Sequence, residues 1–237
     1  MDRRNFIRTC ALGAATSGAA AAGVPAFALE KAAPRYYNRA RLVDAEGQPV
    51  KSMRLAAQRN FIFHYPYAGT PCFLLNLGKP AKAAAALKTA DARNYQWQGG
   101  VGANASVVAY SAICAHRLTY PTKEISFISY RAEASPRNKH ANVIHCCSEH
   151  SQYDPAEGGR VLAGPAPQPL AAILLEYDKA TDGLYAVGTL GGEMFNEFFS
   201  KFDFKLALEH SGGAKKPAAD RIVVSELTDY CRQQVKC

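Results

Sequence analysis

Two short boxes of cysteine and histidine carry the clearest chemistry in this sequence. The first is a C-x-H box formed by Cys114 and His116, and the second is a C-x-x-H box formed by Cys147 and His150. Each box pairs a thiolate donor with an imidazole donor, the ligand types that bind zinc and iron–sulfur centres. Each directly follows a predicted strand, so two loops at one end of a sheet can meet. The four side chains therefore predict a single metal centre.

Two kinds of centre use two cysteines and two histidines. One is structural zinc, and the other is a [2Fe–2S] cluster in which the cysteines hold one iron and the histidines hold the other. Zinc fingers usually present both cysteines before both histidines. Here the donors alternate, so each box supplies one ligand to each iron. The order favours the cluster, and a structural zinc-binding module is the alternative.

The residues after the second box extend this pattern. Ser151, Tyr153 and an aspartate follow it directly, and a Gly164-Pro-Ala-Pro167 segment precedes the next predicted strand. With the two boxes, the stretch of about residues 106–190 resembles the Rieske iron–sulfur protein family. The segment at Gly164 is similar to that of the iron–sulfur subunits of quinol–cytochrome c reductases. By this likeness Ser151 and Tyr153 are cofactor-binding residues that donate hydrogen bonds to cluster or ligand sulfur.

The resemblance implies one Rieske-type [2Fe–2S] cluster that carries single electrons. Cys114 and Cys147 would hold the buried ferric iron, and His116 and His150 would hold the outer, reducible iron. Two neutral imidazoles leave less negative charge on the cluster than four thiolates, so its potential falls in the range of roughly −150 to +300 mV. Hydrogen bonds to sulfur raise the potential within that range.

Two features depart from the family pattern. Quinol-oxidising members carry an extra cysteine in each box loop, and the two form a disulfide; Thr119 stands at the first of these positions, so that disulfide cannot form. Those relatives also place a glycine between the second-box histidine and the serine, whereas His150 is followed directly by Ser151. The alignment of Ser151 and Tyr153 with the family pattern is therefore open by one residue. Cys146 could be the ligand, although the C-x-x-H spacing favours Cys147.

The rest of the chain indicates an all-β fold. Short apolar or alternating runs rich in β-branched and aromatic residues predict strands at 72–77, 106–112, 141–145, 172–177 and 184–188. The turn from Asp178 to Gly183 joins the last two as a hairpin. We expect a Rieske-like antiparallel sandwich or open barrel with a cluster-binding subdomain of two loops. Short helices are expected within 80–95, at 193–199 and at 225–234, the last capped by Ser225.

The N-terminus resembles a twin-arginine export signal. Arg3 and Arg4 precede Asn-Phe-Ile and an Ala- and Gly-rich stretch that ends in a small-residue cleavage pattern at Ala28. A general-secretion signal and a retained anchor are the alternatives. We predict a signal at 1–28 followed by one domain at 29–237, with an inserted 80–105 segment and a C-terminal extension.

Composition excludes several classes of protein. The chain has 237 residues, 48% of them hydrophobic, and a formal net charge of +8, which becomes +6 if residues 1–28 are removed. It is neither disordered nor collagen-like, and the body has no apolar run of ~18 residues that would span a membrane. The basic residues form no contiguous patch, so nucleic acid is not expected as a partner.

Four further residues could bind or react. We expect Cys72 to be a buried free thiol and His145 to be a packed histidine of a strand. Cys231 and Cys237 could form a disulfide in an exported protein.

The function indicated is an exported electron-transfer subunit of an oxidoreductase rather than a stand-alone enzyme. The expected partners are redox proteins such as a cytochrome or a larger oxidoreductase subunit, and a quinol. The setting is the periplasmic side, soluble or associated with the membrane. The complex would be like quinol–cytochrome c reductase or another periplasmic oxidoreductase, as for the small subunit of arsenite oxidase. A Rieske ferredoxin or oxygenase component is the alternative, but the sequence lacks a downstream site for mononuclear iron.

Overall fold

The computed structural model describes residues 31–135 and 139–237, so the predicted export signal at 1–28 lies outside the described residues. Strands dominate this part of the chain. In chain order they are β1 (Arg35–Val43), β2 (Phe61–His64), β3 (Pro71–Asn76), β4 (Ala85–Lys88), β5 (Asn94–Trp97), β6 (Val107–Ser111), β7 (Ile125–Ser126), β8 (Ile128–Arg131), β9 (Val143–Cys146), β10 (Ser151–Asp154), β11 (Arg160–Ala163), β12 (Ala172–Asp178), β13 (Gly183–Leu190), β14 (Arg221–Val223), β15 (Ser225–Glu226) and β16 (Gln233–Gln234). The helices are short: α1 (Phe195–Lys201), α2 (Asp203–Glu209), α3 (Leu227–Tyr230) and a 3-10 turn at Pro155–Glu157. The predicted all-β class with short helices is confirmed.

The main sheet has eight strands in the order β14-β1-β13-β12-β6-β3-β2-β15. Its pairs are antiparallel except β1 with β14. Strand β2 also contacts β14, so the sheet nearly closes on itself. The five predicted strands all lie within two residues of their predicted bounds, and β12 and β13 form the predicted hairpin.

Alternating side chains give the central strands two buried faces. In β3, Phe73 and Leu75 belong to one hydrophobic cluster, whereas Cys72 and Leu74 belong to another on the opposite face. Successive residues of a strand point to opposite faces, so an apolar run with no polar alternation needs cover on both sides. Cys72 is buried and free, as predicted.

A second, four-stranded antiparallel sheet has the order β11-β10-β9-β8 and carries the second box. Its residues Tyr130, Ile144 and Tyr153 share one buried cluster with Phe73 and Tyr110 of the main sheet. This shared core holds the second box against the end of β6, where the first box begins.

The prediction of a helix within 80–95 is wrong. This segment forms the antiparallel hairpin β4–β5, in which Ala85, Leu87, Tyr95 and Trp97 alternate with exposed residues. The Trp97 ring lies 6.4 Å from the Tyr110 ring, centroid to centroid. Burial of an alternating apolar face outweighs the helix propensity of the Ala- and Lys-rich sequence.

The helical predictions near the C-terminus are confirmed only in part. Helix α1 begins two residues after the predicted start of its segment. The 225–234 segment is helical only over the four residues of α3, and Ser225 does not cap it, because Ser225 belongs to β15 and pairs with Ile62. The rest of the segment is in β15 and β16 at its two ends, which form backbone hydrogen bonds with β2 and β7 instead of continuing a helix.

Candidate metal centre

The first box is a tight loop that begins three residues after β6. Cys114 is fully buried, its N–H donates to the carbonyl of Thr119 at 2.8 Å, and its carbonyl accepts from the N–H of Leu118 at 2.9 Å. Leu118 has a positive φ of 64° and packs with Phe198 of α1 in a third hydrophobic cluster. His116 is partly exposed, and its Nδ1 is buried with no hydrogen-bond partner.

The second box is the turn between β9 and β10. In this antiparallel pair Cys146 lies opposite Ser151. His150 ends the turn, is exposed, and has a φ of 58°. This is left-handed backbone, which a residue other than glycine adopts at a cost. His150 thus takes the left-handed conformation directly before Ser151, the first residue of β10.

Strand alternation determines which cysteine faces the first box. Residues directly opposite each other in an antiparallel pair lie on the same face, and so do residues two apart on one strand. Cys146, Ser151 and Tyr153 therefore share one face, which is directed at Cys114 within a common cluster. His145 lies on the opposite face, buried as the sequence predicts.

The Cys114 and Cys146 side chains belong to the same buried cluster, where each thiol shifts the pKa of the other. The Tyr153 hydroxyl accepts a hydrogen bond from the N–H of Ala115 at 3.1 Å, so its own hydrogen is free to point to Cys114 Sγ, 3.3 Å away. The pKa of Cys114 is lowered, first by the Cys146 thiol and then by the Tyr153 hydroxyl, against an opposing effect of burial. The pKa of Cys146 is raised because its thiol donates to Cys114 and is buried. Cys114 is thus the thiol more easily ionised.

Cys147 lies apart from this pair. Its sulfur forms a disulfide with Cys237, which follows β16, and Arg131 Nη2 lies 3.9 Å from it. The structure thus brings Cys146, the alternative that the sequence leaves open, to Cys114. Cys231, the partner expected for Cys237, is a buried free thiol 3.0 Å from the carbonyl of Gln233.

Near the thiol pair, two buried polar atoms have no hydrogen-bond partner among residues 31–135 and 139–237. They are Nδ1 of His116 and Oγ of Ser151. Buried polar atoms are almost always paired, so such atoms point to a group that binds there. An imidazole nitrogen and a hydroxyl beside two facing thiols are the donors that a mixed Cys/His [2Fe–2S] cluster uses. The chemistry of these residues fits that cluster.

The segment at Gly164 covers the second box. Gly164 has a φ of 86°, and a Cβ built there would lie 2.5 Å from the carbonyl oxygen of His150 and 2.6 Å from Cα of Ser151. Only glycine permits this approach in a left-handed conformation. Between the boxes, Arg117 and Glu149 form a partly exposed ion pair at 3.7 Å. The Arg117–Glu149 pair thus joins the two loops, whereas the disulfide of Cys147 leads to Cys237.

Sequence reasoning missed the Cys147–Cys237 disulfide and the half-buried Arg131 beside it. The adjacent cysteines Cys146 and Cys147 could have indicated it. Successive residues of a strand point to opposite faces, so only one of the two can face the first box. The pair gave no indication of the distant partner.

No family model matches the chain. Among solved structures, the chain is similar to the crystal structure of the soluble domain of the Rieske protein II (soxF) from Sulfolobus acidocaldarius, at 26% sequence identity. The match covers 67% of this chain and 82% of that chain, with a TM-score of 0.44. Within residues 31–135 and 139–237, the helices are too short or too polar to span a membrane.

Proposed function

We propose that this chain is an exported Rieske-type [2Fe–2S] electron-transfer protein. The observation that carries the proposal is the meeting of two buried thiols, one from each box, beside the Tyr153 hydroxyl. Electron-transfer centres of this kind place thiolate ligands inside and imidazole ligands at the surface. Here both thiols are buried, whereas His150 is exposed and His116 is partly exposed.

Cys114 and Cys146 would hold the inner iron, and His116 and His150 the outer iron. The His150 ring lies 5.8 Å from the His145 ring, on the other face of β9, so it would have to turn toward Cys146 to serve as a ligand. Cys146 takes the place that spacing alone favoured for Cys147. The cluster would supply one-electron transfer at a potential raised by its two neutral ligands. Tyr153 would direct its hydrogen to Cys114 Sγ, and Ser151 would donate its unpartnered hydroxyl hydrogen to sulfur. His150 would present its remaining ring nitrogen to solvent, where it can take up a proton with the electron or meet a donor.

The cellular location and the type of complex are proposed from the sequence. The twin-arginine-like signal suits a protein that folds around its cofactor before export, on the periplasmic side or at the membrane. The complex would be a quinol–cytochrome c reductase-like or other periplasmic oxidoreductase. The net charge of +6 without residues 1–28 would favour an acidic redox partner.

A matched pair of variants tests the ligand assignment. We expect Cys146→Ser to lose the cluster, because a thiolate of the inner iron is removed, and Cys147→Ser to keep it. Iron and acid-labile sulfide, measured per chain on both variants and the unchanged protein, provide the readout. The reverse result would restore Cys147 as the ligand. Zinc in place of iron in the unchanged protein would favour the structural zinc module instead.

A further inference from the structure

The face of β9 opposite the proposed cluster carries a second group of metal-ligand side chains. Ligand atoms of His145, His150 and Cys237 all lie within 4.8 Å of one another. The His145 ring nitrogens are 3.5 and 3.6 Å from Cys237 Sγ, and the His145 and His150 ring centroids are 5.8 Å apart. His145 is fully buried, and the proposed function does not use it.

The distance from the His145 ring to Cys237 Sγ fits tetrahedral coordination. With Zn–S of about 2.3 Å and Zn–N of about 2.0–2.1 Å, two neighbouring tetrahedral ligands, one sulfur and one nitrogen, lie about 3.5 Å apart. The His145 ring and Cys237 Sγ already have this separation. The sulfur is not yet a ligand, because the disulfide to Cys147 occupies it.

We propose that reduction of the Cys147–Cys237 disulfide creates a Cys2His2 zinc site formed by Cys147, Cys237, His145 and His150. A dithiol supplies the two electrons and two protons: it becomes a cyclic disulfide, and the S–S bond becomes two thiols. Zinc binding then releases two protons as the thiols become thiolates. Arg131, 3.9 Å from Cys147 Sγ, would stabilise the anionic sulfur. The site does not depend on the cluster, but both use His150, so zinc here and the cluster exclude one another.

Cobalt tests the proposal, since Co²⁺ takes zinc sites and reports thiolate ligation by a near-ultraviolet charge-transfer band. The probe is titrated into the full chain freed of iron, with the disulfide either intact or reduced by a phosphine. The iron-free chain also presents Cys114, Cys146 and His116, so Co²⁺ bound with the disulfide intact is counted first. We expect one additional Co²⁺ per chain and a stronger thiolate band after reduction, both displaced by Zn²⁺. No increase in bound Co²⁺ or in the thiolate band on reduction would overturn the proposal.

Matched variants identify the ligands. Cys237→Ser should abolish the thiolate-dependent site, and His145→Ala should weaken Co²⁺ binding by at least about tenfold, as expected for a lost ligand. Cys231→Ser is the control, because its free thiol lies in the same C-terminal segment but outside the group, and it should bind as the unchanged protein does. Equal binding by Cys237→Ser and the control would contradict the assignment.

Thiol alkylation of the unchanged chain gives a test that needs no variant. In the reduced protein, Zn²⁺ should protect Cys147 and Cys237 from alkylation but not Cys231, as read by peptide mass mapping. Equal protection of all three, or of none, would contradict the site. Iron and sulfide content is measured separately, so a chain that binds zinc but never a cluster would overturn only the proposed function.

Discussion

Side-chain direction along β9 and β10 decides which cysteine meets Cys114. Both boxes are evident in the sequence, and the structure places the Tyr153 hydroxyl 3.3 Å from Cys114 Sγ. The sequence favoured Cys147 as the ligand because the C-x-x-H spacing was the only guide and the predicted strand ended at His145. In the structure the strand includes Cys146, so Cys146 shares a face with Tyr153. A one-residue difference in a strand end therefore changes which thiol enters the site.

Tyr153 is expected to set the potential through its hydroxyl. Tyr153→Phe removes the hydrogen bond to Cys114 Sγ, which stabilises extra negative charge on the ligand sulfur. A hydrogen bond of about 0.5–1.5 kcal/mol corresponds to a fall of roughly 20–65 mV for a one-electron couple. A redox titration of the cluster signal measures the change.

Tyr130→Phe is the matched control for this titration. The Tyr130 hydroxyl is on β8 of the same sheet, two strands from Tyr153, and donates to Asn142 Oδ1 at 2.9 Å. Its removal should leave the potential unchanged. If both variants shift the potential equally, the effect is one of general packing and not of the bond to Cys114.

At the scale of elements, the strands were predictable and the hairpin β4–β5 was not. Apolar runs such as β3 are buried on both faces, so their composition alone indicates a strand. The segment of β4 and β5 has an Ala- and Lys-rich composition that suits a helix. Its strand character comes from burial of Leu87 and Trp97 against the rest of the domain, which local sequence does not reveal.

The loop at Gly164 is expected to hold the second box in place by close contact. Gly164→Ala puts a Cβ against the backbone of His150 and Ser151 and strains a left-handed φ. We expect a loss of unfolding free energy of roughly 2–4 kcal/mol, from strain together with overpacking, and a lower cluster content. Urea unfolding and iron analysis measure the two effects.

Gly212→Ala is the control for Gly164→Ala. Gly212 has a similar φ of 76°, but a Cβ there meets nothing within 4 Å. It should lose only about 1–2 kcal/mol, from backbone strain, with normal iron content. Equal losses in both variants would show that contact with the second box contributes nothing.

At the scale of the whole molecule, the disulfide joins the C-terminal segment to the second box across 90 residues of sequence. Cys237→Ser removes this cross-link, and a cross-link over such a loop is worth roughly 2–4 kcal/mol. We expect a lower urea midpoint under oxidising conditions. With a reductant present, the variant and the unchanged protein should unfold alike; a difference that persists would assign the loss to the side chain and not to the bond.

Electron paramagnetic resonance of the dithionite-reduced protein, with iron and sulfide analysis, shows whether the chain holds a Rieske-type cluster. We expect two irons and two sulfides per chain and a rhombic signal whose average g lies below the free-electron value, as mixed Cys/His ligation produces. A chain with one zinc, no labile sulfide and no signal would contradict this expectation.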